Sequence, residues 1–182
     1  MAKKKTALFI GRFQPFHRGH VSVVEAALKD FDFVVVAVGS ADKSRTPENP
    51  FTVGERHAMV KSALTELGYA PEKDFVVVPV VDIDDDKKWC KHVADLCPPF
   101  EAVISGNERV VDLFTKAKKK VIAPKLKYKI SATDVRAAIE AGEDLAKYLH
   151  ESVVSFLQKI GATRKMVDIK EELAAAEAEA KA

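Results

Sequence analysis

Five short, mostly apolar runs punctuate the chain: Ala7 to Ile10, Phe33 to Val38, Phe75 to Val80, Ala102 to Ser105 and Lys120 to Ala123. Each is too short for a helix and continuous rather than alternating, the pattern of strands covered on both faces. The segments between them are long enough for helices, among them an amphipathic stretch from Val21 to Lys29 and the segment Lys87 to Leu96. This alternation predicts right-handed crossovers and an α/β fold: a doubly wound, five-stranded parallel sheet with helices on both faces, followed by C-terminal helices. Two helix starts are marked. Thr52 with Glu55 forms a capping box after Pro50-Phe51, and Ser131 with Asp134 forms a weaker one ahead of Val135 and Ile139. From Ile169 onward the chain is Lys, Glu and Ala with one Leu, which gives helix propensity without an apolar face. The expected organisation is one domain over residues 1–168 and a frayed or disordered tail over 169–182.

Composition narrows the function classes. The 182 residues carry a net charge of +2 with both signs plentiful, which leaves no footprint for nucleic acid. Cys90 and Cys97 lie about two helical turns apart, too far for a mutual disulfide, so a reduced cytoplasm is expected. Lys3 to Lys5 followed by Ala7 to Ile10 mimics a leader, but Gly11-Arg12 cuts the apolar stretch short. No run approaches the roughly eighteen apolar residues of a membrane helix.

Chemistry concentrates after the first strand, in Gly11-Arg12-Phe13-Gln14-Pro15-Phe16-His17-Arg18-Gly19-His20. A strand that turns through glycine into a helix aims free N–H groups and the positive helix end at one point, which suits an anion. Two histidines and an arginine crowd that point, and Gly11 and Gly19 are expected to let the backbone approach a phosphate chain. The run holds no Ser, Cys or Lys, which favours catalysis by positioning and charge over a covalent intermediate. His17 and His20 could begin a metal site, but no third ligand lies nearby. Gly39-Ser40 after the second strand and Ser105-Gly106 after the fourth fall at the same sheet edge, where doubly wound folds bind ligands.

The run contains the H-x-G-H signature of the nucleotidylyltransferase superfamily. Its fuller form G-R-F-Q-P-F-H-x-G-H resembles the archaeal-type nicotinamide-mononucleotide (NMN) adenylyltransferases. Four further segments agree in order: Gly39-Ser40-Ala41, Glu48-Asn49-Pro50-Phe51-Thr52 with Gly54-Glu55-Arg56, Ser105-Gly106-Asn107, and Ser131 to Arg136. The resemblance covers roughly residues 7 to 165. It implies a Rossmann-like fold and an adenylyl transfer from ATP, with Mg2+, to NMN, giving NAD and pyrophosphate in NAD biosynthesis. It also implies a homo-oligomer, often a hexamer. The implied catalytic residues are His17, His20, Arg12 and Arg136. ATP would meet Gly11, Arg12, Phe13, His17, Gly19, His20, Gly106, Asn107, Ser131, Thr133 and Arg136. NMN would meet Gln14, Gly39, Ser40, Asn49, Phe51, Asp86 and Trp89, the last facing the pyridinium with a cation–π term of about 0.5 to 2 kcal/mol. No protein metal ligand is implied.

The residues temper this in places. Asp82, Asp84, Asp85 and Asp86 read as a solvated loop, since a calcium loop needs a glycine turn and spaced ligands. Asp86 stands where relatives often carry asparagine, and its charge is expected to repel the carboxylate of nicotinic acid mononucleotide and so favour the amide. Lys43 and Arg45 sit in a polar loop that could close over phosphates. Ala132 and Ala137 also depart from the family's pattern. The alternatives are another nucleotidylyltransferase, with a pantetheine phosphate, flavin or cytidylyl acceptor, and a nucleotide-binding sensor without turnover. Gln14, Trp89 and the N-P-F-T segment oppose the first, and the intact His17, His20 and Arg136 oppose the second.

Overall fold

A computed structural model describes residues 4–180. The five strands are β1 (Thr6–Gly11), β2 (Phe33–Val38), β3 (Phe75–Pro79), β4 (Ala102–Ile104) and β5 (Lys120–Ile122). All pair in parallel, in the order β3-β2-β1-β4-β5. The helices are α1 (Arg18–Asp30), α2 (Val53–Glu66), α3 (Asp86–Leu96), α4 (Glu108–Lys116), α5 (Ala132–Glu140), α6 (Glu151–Lys159) and α7 (Ala162–Glu179).

The strand sequences explain the two-sided sheet. Along β1, Ala7 and Phe9 enter one core while Leu8 and Ile10 enter the other. Along β2, Val34, Val36 and Val38 oppose Phe33, Val35 and Ala37 in the same way. Helices α1 and α2, joined by α5 to α7, cover the first face, and α3 and α4 cover the second. The chain winds outward from β1 through β2 to β3, then crosses back to β4, so the switch point lies at the carboxyl ends of β1 and β4. Register sets Gly11 beside Val38 there.

The C-terminal stretch is helical on both sides of Ile169. Helix α7 runs on to Glu179, with Ala162, Met166 and Ile169 buried on one face, and only beyond Ile169 is every described residue exposed. The spacing of seven between Ala162 and Ile169 is the apolar stripe, which a window starting at Ile169 cuts off. Residues 181–182, and Lys3 of the leader-like start, lie outside the described residues. At α5, Ser131 caps through Thr133 N–H, but no reciprocal bond from Asp134 completes a box.

Candidate active site

The loop after β1 is built on its own aromatic rings. Phe13 takes a left-handed backbone (φ 51°), the Gln14–Pro15 peptide is cis, and the Phe13 and Phe16 rings turn into the core. A Cβ on Gly11 would stand 2.9 Å from the Phe13 ring, and one on Gly19 would stand 3.0 Å from the His17 ring. These glycines therefore make room for the protein's own rings. Phe13, expected at ATP, lies as a floor beneath His20, its ring centroid 4.9 Å from the imidazole.

His17 is the N-cap of α1, and the two histidines cap each other. His17 Nδ1 accepts from His20 N–H (3.3 Å), and His20 Nδ1 accepts from His17 N–H (3.2 Å), with the rings stacked at 3.5 Å. A nitrogen that accepts carries no proton, so each ring holds its proton on Nε2. Burial pushes the His17 imidazole down to about 4. Burial, and then the neighbouring His17, holds His20 well below the ordinary range. Both rings are neutral donors at pH 7.

Positive charge comes instead from arginines. The Arg12 side chain is exposed on the loop. Arg136, on α5, donates to the Gln14 carbonyl (3.1 Å) and to Thr133 Oγ1 (3.3 Å), which brings the Ser131 to Arg136 segment against the Gly11 to His20 loop. Burial, and next the charge of Arg12, lowers the Arg136 pKa, placing the two guanidiniums in each other's field. Arg56 is wholly buried on α2 and donates to the carbonyls of Arg12 (2.9 Å), Gly39 (2.7 Å) and Ser40 (3.0 Å). Burial, then Arg12, brings it down to about 10, still charged at neutral pH. Among the described residues none of these three guanidiniums lies within 4 Å of a carboxylate. Burying such a charge costs several kcal/mol unless its bonds are well made.

On the acceptor side the outcome is mixed. Gln14 Nε2 donates to the Phe51 carbonyl (2.9 Å) and its Oε1 accepts from Phe51 N–H (3.0 Å), so this buried amide braces one loop against the next. The Phe51 ring is fully buried in the core. Asn49 donates to Thr46 Oγ1, leaving Oδ1 buried without a partner. Gly39 N–H donates to Gly11 O (2.9 Å), and Ser40, at φ 48°, donates from Oγ to Asp82 (2.7 Å). Trp89 packs edge-on against Phe114 in the second core, with the Arg109 guanidinium 5.3 Å from its ring centre and its own Nε1 buried without a partner.

The acidic cluster is not merely solvated, as the sequence suggested. Asp82 holds Ser40 and Lys43, Asp85 caps α3, and Asp86 forms an ion pair with Arg109 at 2.5 Å. That pair offsets the Asp86 charge, which weakens the argument that Asp86 would repel an acidic acceptor. Arg45, at φ 58°, lies beside Glu55 and α7 in a groove of about 470 Å³.

The structure thus joins the Gly11–His20 loop, Gly39–Lys43, Phe51–Arg56 and Arg136 through direct bonds. Gly106 and Asn107 stand at the end of the neighbouring strand β4, where Asn107 caps α4, and Ser131 caps α5. Asp86 and Trp89 form a separate cluster with Arg109 on the second face. Sequence reasoning missed Arg56, Arg109 and Asp82 as parts of the site. For Arg56 a signal existed: it heads the stripe Arg56, Met59, Val60, Ala63, Leu64, the buried face of α2.

Comparison with known proteins agrees with this geometry. The family described as Cytidylyltransferase-like matches residues 8–138. A nicotinamide-nucleotide adenylyltransferase of Archaeoglobus fulgidus is 36% identical over 167 residues, covering 90% of this chain and 96% of its own. One from Pyrococcus furiosus is 38% identical, covering 86% and 84%. In structure, the bifunctional NMN adenylyltransferase/ADP ribose pyrophosphatase of Francisella tularensis superposes with a TM-score of 0.80 at 24% identity over 96% of this chain, which spans 55% of that longer one. That likeness shows the fold. With a family match over most of its length and relatives above 30% identity covering nearly all of it, the chain belongs to the cytidylyltransferase-like family and, within it, to the nicotinamide-nucleotide adenylyltransferases.

Proposed function

We propose that this protein joins ATP and NMN to give NAD and pyrophosphate. One observation carries the reading: two neutral histidines, each with its N–H at Nε2, stand beside Arg12 of the same loop and Arg136 of α5, which bonds that loop, and neither guanidinium has a described carboxylate within 4 Å. An oxygen of the NMN phosphate forms a bond to the α-phosphorus of ATP as the bond from that phosphorus to the β-bridging oxygen breaks. The attacking phosphate is already ionised, so no general base is needed. Catalysis is then alignment and charge compensation. In this scheme His17 donates near the α-phosphate, His20 near the β- and γ-phosphates, and Arg12 and Arg136 offset the charge of the departing pyrophosphate. Gly106, Asn107, Ser131 and Thr133 lie along the adenosine.

NMN would lie toward Gly39, Ser40, Asn49, Asp86 and Trp89. Gln14 and Phe51 act through the loops they brace. Mg2+ would enter with ATP. Phosphate oxygens and water would hold most of its coordination sphere, and it would supply charge compensation on the polyphosphate. The free thiols of Cys90 and Cys97 support a reducing cytoplasm. Among the described residues no helix is long and apolar enough to cross a membrane. The family resemblance supports a homo-oligomer, with a hexamer the form to seek by sedimentation.

The test is pyrophosphate release and NAD mass from ATP, Mg2+ and NMN. His20→Ala and Arg136→Ala are each expected to lose on the order of a hundredfold to a thousandfold in turnover. Unchanged turnover in both would overturn the assignment.

A further inference from the structure

We propose that Arg56 is a positioning residue for the transfer reaction, a buried fork that sets the phosphate loop and the acceptor loop in register by drawing their carbonyl oxygens inward. This rests on the adenylyltransferase reading and adds a residue that never touches substrate.

The side chain is 0% exposed and sits one helical turn inside the N-terminus of α2. Its Nη1 donates to Arg12 O and Gly39 O, its Nη2 to Ser40 O and, at 3.5 Å, to Lys43 O, and its Nε to Thr52 O at 3.4 Å. Five carbonyls from three chain segments thus converge on one planar group. Asp42 and Asp82 act on it only through space. An apolar side chain of similar length would fill the α2 stripe without burying a charge, but would leave those carbonyls without their donor. Packing alone therefore gives no reason for a guanidinium here.

Geometry gives one. Gly11 and Gly39 are already tied by a single backbone bond, and everything beyond it bends: Phe13 and Ser40 both stand in left-handed conformations, at φ 51° and 48°. Left-handed backbone in residues other than glycine persists only where surroundings over-determine it. Arg56 bonds the carbonyl preceding Phe13 and the carbonyls of Gly39 and Ser40, bracketing both bends. Each carbonyl turned inward is also one removed from the path of an incoming polyphosphate. Lysine keeps the charge but cannot supply the planar fork.

The test compares Arg56→Met and Arg56→Lys with the parent protein, measuring the thermal midpoint, kcat, and KM for ATP and for NMN separately. The expected result is an Arg56→Met protein that melts below the parent, because its carbonyls lose their donor, and that where folded loses about tenfold to a hundredfold in kcat, with Arg56→Lys recovering only part. Parent-like kcat in folded Arg56→Met, or full rescue by lysine, would overturn the proposal. If Arg56→Met does not fold, Arg56→Lys decides alone by the same split. Inorganic tripolyphosphate binding by calorimetry separates the two readings. If the parent makes no NAD, the reaction assignment fails, while weaker tripolyphosphate binding by folded Arg56→Lys or Arg56→Met still supports the loop-positioning role and unchanged binding refutes it.

Discussion

Acid should weaken this fold through His17, and the size of the effect follows from its cap. In the unfolded chain His17 takes up a proton as the pH falls through 6.5; in the folded protein it stays neutral down to about 4. The contribution to stability is thus complete above 6.5 and lost between 6.5 and 4, where the unfolded state binds the extra proton. At about 1.36 kcal/mol per pH unit the whole depression is worth roughly 3.4 kcal/mol, of which roughly 2 kcal/mol is gone by pH 5. For a chain of this size that is about 4 to 8 °C in thermal midpoint. The depressed His20 adds in the same direction. The control is His17→Asn, because asparagine also caps a helix by accepting from the N–H three residues on, yet does not titrate. Calorimetric melts of both proteins at pH 8 and pH 5, without nucleotide, are expected to show a markedly smaller acid-induced fall in the variant. Equal falls would refute the assignment of a buried neutral ring that caps α1.

Two other substitutions test the acceptor side. Gln14→Ala leaves the Phe51 N–H and carbonyl without their partners, which should cost about 2 to 5 kcal/mol in a urea melt, and Gln14→Glu should not restore it, since a carboxylate would face the Phe51 carbonyl. A loss below about 0.5 kcal/mol would show that the brace is not needed. Arg109→Ala frees the Asp86 charge and should lower kcat/KM for nicotinic acid mononucleotide a few-fold relative to NMN, the scale of an exposed ion pair. An unchanged ratio would detach that pair from acceptor choice.

The strands were legible almost residue by residue because Val, Ile and Phe runs with no polar face have no other stable use at that length. Thr52 with Glu55 was legible because a capping box is local: both of its bonds span three residues. What escaped depends on partners far along the chain. Asp86 looked like a bare charge because Arg109 stands 23 positions away, and Gln14 looked like a substrate contact because Phe51 stands 37 away. The histidines were recognised as a site, but their neutrality follows from burial under Phe13 and Phe16, which no spacing reveals. Composition after Ile169 leaves out the anchor of α7, which is the stripe ahead of that point and a short ion pair from Lys165 to Glu55.

The long reach of those ties also governs when the site comes into being. Arg136 meets Gln14 across 122 positions and Lys165 meets Glu55 across 110. Synthesis at about 5 to 20 residues per second leaves an interval of roughly 6 to 25 s between the making of the histidine loop and the arrival of its arginine. Throughout that interval the emerging chain has the histidine loop without the α5 arginine that bonds it. A ligand that needs both segments stabilises only the chain in which both are present, so under the proposed function nucleotide would act on the finished chain rather than on the earlier steps of folding.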